Sequence, residues 1–98
     1  MSIAPHPLAV FRAAANCTQA QFGAWTGTGT VLVSGLECRN GRLPGPRTLD
    51  RLAREHPALS RSDWQALLHG TMTTADAARL GELCGPQIGQ RQRKPKRG

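Results

Sequence analysis

The side chains able to bind or react are spread unevenly along the 98 residues. Thirteen Lys and Arg against six Asp and Glu leave a net charge of +7. Five of those cations, Arg91, Arg93, Lys94, Lys96 and Arg97, fall within residues 86–98, which hold no acid. Such a patch draws polyanions by releasing their counterions, and a solvated tail that only aids solubility is the plain alternative. The six acids stand apart from one another, and His6, His56 and His69 are scattered among Cys17, Cys38 and Cys84. No nucleophile–base arrangement and no zinc-ligand spacing follows from these positions. The expectation is therefore a protein that is not an enzyme and has no metal or cofactor. An odd number of widely spaced cysteines suits reduced cytosolic thiols, each a small buried or half-buried residue.

What must position any binding surface is the stretch Thr18–Leu36, TQAQFGAWTGTGTVLVSGL. Thr18 and Gln21 have the spacing of a capping box that opens a helix. Phe22 and Trp25 then share a face. Gly23 leaves room for a second helix to cross closely, and Gly27 can take the positive φ that ends one helix and turns the chain. Thr28 is placed to cap the next helix. Leu32, Val33 and Leu36 point inward along it and leave Thr30, Val31, Ser34 and Gly35 outside. The competing reading is a short buried strand, since Thr30–Val33 is rich in β-branched residues. Gly27–Gly29 lacks the Lys-Ser/Thr ending of a phosphate loop, and no dinucleotide fingerprint follows from Gly27, Gly29 and Gly35.

Two short helices meeting at a glycine turn form the unit that places its second helix in the major groove of DNA. The pattern resembles the Cro/repressor-type, or XRE-like, helix-turn-helix DNA-binding family of phage repressors, plasmid regulators and antitoxins. The matching residues are Thr18-Gln19, Gly23, Gly27, Val33, Ser34-Gly35-Leu36-Glu37, Asn40-Gly41-Arg42, Pro44 and PRTLDRLA at 46–53. The resemblance covers about residues 8–70. It implies an all-α, compact domain of five to six helices. It also implies that Arg12 pairs with Glu37, against the alternative of two independent solvated charges.

The rest of the chain divides around that unit. Residues 1–6 read as a flexible arm, and no signal peptide is expected there, because no Lys or Arg precedes Arg12. Pro7 suits the first turn of a helix running to about Asn16, with Leu8, Phe11, Ala14 and Ala15 on its apolar face. A helix opens at Pro46 with Leu49, Leu52 and Ala53 inward and Asp50 paired with Arg54, and His56-Pro57 ends it. Ser60 and Asp63 start another, carrying Trp64, Leu67 and Leu68 to its stop at Gly70. Residues 7–70 make up the expected DNA-binding domain. Residues 71–85 read as an additional helix begun by Thr73 and Asp76, with Ala77, Leu80, Leu83 and Cys84 inward; it is a candidate homodimer contact, and core packing is the alternative. Residues 86–98 read as a disordered basic tail.

The resemblance thus implies a sequence-specific transcriptional regulator, a repressor, binding double-stranded DNA at a palindromic operator as a homodimer. Gln19 would contact a phosphate or base, Thr30 and Ser34 would hydrogen-bond in the major groove, and Val31 would meet a thymine methyl. Amides at Thr28 and Gly29 would hold a phosphate. Arg39, Asn40 and Arg42 would position the protein on the backbone, and the tail arginines and lysines would add salt-sensitive affinity. The alternative is a protein-interaction module on the same scaffold, an antitoxin or small phage-encoded inhibitor with a protein partner; a third is non-specific binding through the tail alone. No apolar run is long enough to span a membrane, so the expected location is cytoplasmic, at the nucleoid.

Overall fold

Capping residues set where the helices begin and end. The computed structural model describes residues 5–39 and 42–92, with side chains as far as Ile88. Among these it holds six α-helices and no strand. Helix α1, Pro7–Ala15, begins on a proline, and His6 caps it, its Nδ1 accepting the Leu8 amide at 3.0 Å. His6 is buried, so the flexible arm expected over 1–6 stops short of it; residues 1–4 lie outside the described residues. Asn16, at φ 58°, closes α1 in the left-handed region. Helix α2, Gln19–Thr26, opens on the expected capping box: Gln21 donates its amide to Thr18 Oγ1 at 3.0 Å, and Thr18 donates its amide to Gln21 Oε1 at 2.9 Å.

Helix α3, Thr30–Glu37, replaces the strand alternative. In a strand Val31 and Val33 would share a face. Here Val31 is 88% exposed and Val33 fully buried, while Val33 and Leu36 go inward together at helical spacing. Helix α4, Pro46–Glu55, and α5, Arg61–His69, follow, the latter opened by a Ser60–Asp63 capping box and closed by Gly70. Asp50 does not pair with Arg54; it accepts from Arg61 Nε at 2.6 Å, and Arg51 pairs with Glu55 at 3.0 Å.

Helix α6, Thr74–Gln92, departs most from expectation. It runs through Gly85 and Pro86, so residues 86–92, assigned to a disordered tail, are helical. An interior proline costs about 3 kcal/mol through one lost amide bond and a carbonyl clash. Burying an isoleucine returns roughly 1.5–3 kcal/mol, and Ile88 is fully buried two residues beyond the proline, on the face that carries Cys84. Leu83, expected inward, is 56% exposed; Ala77, Leu80, Gly81, Cys84 and Ile88 form the inner face instead. A side chain on Gly81 would overlap the carbonyl oxygen of Phe11, so a glycine there lets α6 lie directly on α1. The 71–85 helix is thus part of the core, and its inner face is taken by α1 and α2.

The core centres on aromatic rings. Phe22 meets Phe11 edge-on at 5.6 Å between centroids, and Trp25 lies 5.9 Å from Trp64 and 4.2 Å from His56. Trp64 donates its indole N–H to the His56 carbonyl at 3.3 Å, which satisfies its one polar atom inside the core. No helix among the described residues is long and apolar enough to cross a membrane.

Candidate nucleic-acid interface

The junction of α2 and α3 is tight because two glycines make it so. A Cβ on Gly23 would stand 2.6 Å from the Gly29 carbonyl carbon and 3.0 Å from the Thr30 nitrogen, all backbone. Gly27 takes φ 75° and ends α2. Thr26 is buried there, and its hydroxyl bonds the Phe22 carbonyl at 2.9 Å and the Thr28 hydroxyl at 2.8 Å. Thr28 therefore does not cap α3. Gly29 is the N-cap, at φ 90°, and supplies no side-chain cap. The amides of Thr28 and Gly29 also cannot serve a phosphate, because both donate to the Gly23 carbonyl, at 3.0 and 3.3 Å. The uncapped first turn of α3 begins one residue later, at Thr30.

On α3 the expected outer residues are outside. Thr30 and Val31 are exposed, and Ser34 and Gly35 are half-buried. None of the four carries a long side chain, so this surface offers short hydroxyls and one isopropyl group.

The far end of α3 is held by a charged cluster. Arg12 grips both carboxylate oxygens of Glu37, its Nη2 at 2.8 Å from Oε1, and also donates to the Cys17 carbonyl at 3.1 Å. Gln19 donates its amide to Glu37 Oε1 at 3.1 Å. Half-buried Gln19 thus spends one side-chain N–H on Glu37. Burial alone would raise the Glu37 carboxyl, but the hydrogen bonds from Arg12 and Gln19 outweigh it and hold it below its ordinary value. The hydrogen bond to Glu37 likewise raises Arg12.

The expected phosphate contacts separate. Arg42 lines a cleft of about 330 Å³ against Gly27, Thr28, Leu32, Thr48 and Arg51, beside the α2–α3 turn. Arg39, at φ 60°, lines a different cleft with His6 and His69. Asn40 lies outside the described residues, as do Arg93, Lys94, Lys96 and Arg97; Arg91 lies in α6 but its side chain is outside them.

The structure adds basic residues that the sequence reading passed over. Arg51 reaches from α4 to the carbonyl of Thr26 at 3.0 Å, laying its guanidinium over Gly27. Arg47 and Arg54 lie with it along one side of α4 and carry no ion pair among the described residues. The sequence carries the signal: 47, 51 and 54 are spaced i, i+4 and i+7 on the helix that opens at Pro46.

The cysteines are free thiols. Cys84 is buried, which pushes its thiol up to about 11, and Cys17 is half-buried and also raised by burial. Cys38 is exposed at the C-cap of α3, contrary to its reading as buried or half-buried. Among the described residues no group of His, Cys, Asp and Glu is gathered as a metal site.

No protein-family model, curated protein or solved structure matches this chain.

Proposed function

We propose that this chain is a sequence-specific DNA-binding regulator of the Cro/repressor helix-turn-helix type, a repressor acting as a homodimer on a palindromic operator. The observation that carries the reading is the open outer face of α3: Val31 is 88% exposed and Thr30 is exposed on a helix whose opposite side is wholly buried. A helix packed on the body along one side, after one tight turn, with its other side uncovered, has the form that enters a major groove. Thr30 and Ser34 would donate short hydrogen bonds to base edges, and Val31 would meet a thymine methyl. Arg42, beside the α2–α3 turn, and Arg47 and Arg54, along α4, would contact phosphates, which set register without reading sequence.

The test is a gel shift on the DNA flanking the chain's own gene, with Thr30→Ala and Ser34→Ala, at two salt concentrations. Specific readout requires both variants to lose preference for that DNA over an unrelated duplex. Each lost base contact is worth about 1–3 kcal/mol. Equal, purely salt-dependent binding to every duplex, unchanged by the substitutions, overturns the reading.

A second reading is favoured by a different observation. Val31 and Leu43 are apolar side chains, 88% and 52% exposed, and Leu43 lines the cleft that Leu32 also lines. That composition suits a protein-interaction module on the same scaffold. A stoichiometric protein partner held without DNA affinity would select it.

A further inference from the structure

At the opposite end of α3 from the proposed reading face, a cleft of about 290 Å³ opens between the start of α1, the end of α3 and the end of α5. Its lining is His6, Leu36, Arg39, Leu43 and His69. His6 is 5% exposed, and its proton can be placed by elimination. Nδ1 accepts the Leu8 amide, so in the neutral ring the proton sits on Nε2. That Nε2–H makes no hydrogen bond among the described residues. Arg39 has no ion pair among the described residues. The two groups nonetheless converge: His6 Nε2 and an Arg39 Nη each lie 2.9 Å from the point where a Cβ on Gly70 would stand. The two donors therefore stand within about 6 Å of each other on the lining of one cleft.

We infer that this cleft is a binding site for a small organic carboxylate, its carboxylate held between His6 Nε2–H and the Arg39 guanidinium and its hydrocarbon part against Leu36 and Leu43. The guanidinium fork matches a carboxylate, and a bond to an ionised acceptor is stronger than one between neutral groups. The walls are apolar where a tail would lie. His69 closes one side, its Nε2 3.4 Å from the Pro44 carbonyl. Glu37 is the acid whose field reaches His6, but its carboxylate oxygens are held by Arg12 and Gln19. Burial first, and then Arg39, lowers the His6 pKa, so the ring enters the site as a neutral donor. A cleft near 300 Å³ lies at the small end of ligand pockets and suits a molecule of few heavy atoms. The inference is independent of the DNA reading and needs no nucleic acid to test.

The probe is isovalerate, titrated into the full chain while the histidine-ring and leucine-methyl NMR signals are followed. The expected result is saturable shifts at His6, Leu36 and Leu43. His6→Asn keeps an N-cap acceptor and removes the donor, and Arg39→Asn tolerates the left-handed backbone while removing the guanidinium. Each should weaken binding by roughly tenfold or more, with the helical signal retained. Absence of saturable shifts in the unmodified chain overturns the site. Equal binding of 3-methylbutan-1-ol overturns carboxylate recognition. Equal binding of inorganic phosphate without methyl shifts overturns the organic assignment.

Discussion

Removing either partner of the Arg12–Glu37 pair should cost far more than breaking an ordinary surface ion pair. Exposed pairs contribute about 0–1 kcal/mol, whereas removing one partner of a fully buried pair costs about 3–5 kcal/mol. The two side chains are 20% and 11% exposed, between those limits and nearer the second. They make two parallel bonds, and each carries a further contact, to Cys17 and to Gln19. We expect Arg12→Met and Glu37→Gln each to destabilise by about 2 kcal/mol, and the double variant to be little worse than the worse single, a coupling of about 1.5–2 kcal/mol. Denaturant melts of the four proteins measure it. Burial and hydrogen bonding leave the Glu37 pKa below 4.5 in the folded state, so the pair's contribution is complete above that value and is lost as pH falls through the folded pKa. Glu37→Gln should flatten that acid limb. If the two single effects simply add, within about 0.5 kcal/mol, the pair does not act as a unit and the reasoning fails.

Two further outcomes follow. Gly23→Ala gains about 1 kcal/mol of helix propensity, but its methyl would stand 2.6 Å from backbone at Gly29 that has no side chain to swing aside. Overpacking of about 1–3 kcal/mol should win, giving a net loss near 1 kcal/mol and a melting temperature lower by about 4–8 °C; a rise in melting temperature would show that the helices do not meet there. The folded pKa of His6 lies below the unfolded value of 6.5, so its neutral ring is preferred in the fold, and stability should hold above pH 6.5 and fall as pH drops toward the folded value. His6→Asn should remove that part of the decline, and melts that keep the full slope in the variant would count against a capping, neutral His6.

Much of the fold was legible because it is carried by local signals. Thr18 with Gln21 and Ser60 with Asp63 are capping boxes in sequence and in space, and Gly27 and Gly70 stop helices as their type suggests. The errors come where packing overrides a local rule. Pro86 reads as a terminator, and only the burial of Ile88 against the rest of the chain makes continuation worthwhile. Leu83 looks like core by hydropathy, yet the inner face is set by how near α6 comes to α1, which favours small residues at Ala77 and Gly81. At the candidate interface, Gln19 and Thr28 have the right types to touch DNA, but each has a nearer partner, Glu37 and Thr26, that no spacing rule names. The His6–Arg39 juxtaposition joins residues 33 positions apart in the chain and is invisible without the fold.

The aromatic inventory bears on which polymer the open face of α3 would take. The chain has two Phe, two Trp and no Tyr. Phe11, Phe22, Trp25 and Trp64 are all at most 2% exposed. Single-stranded nucleic acid is held largely by bases stacking on aromatic side chains, worth about 1–3 kcal/mol per base. Protein interfaces likewise draw most of their affinity from a few Trp, Tyr and Arg anchors. This surface has no ring to offer either partner. What it does offer is a narrow helix with small outer residues, with Arg42 and Arg51 beside the turn that leads into it. Small side chains let a helix sit deep in a groove whose walls are phosphate, so the arginines would supply most of the affinity and the short residues only discrimination. That division favours duplex DNA over a single strand. It also requires sequence preference to survive at salt concentrations that remove most of the binding, because the arginine charges are what salt screens.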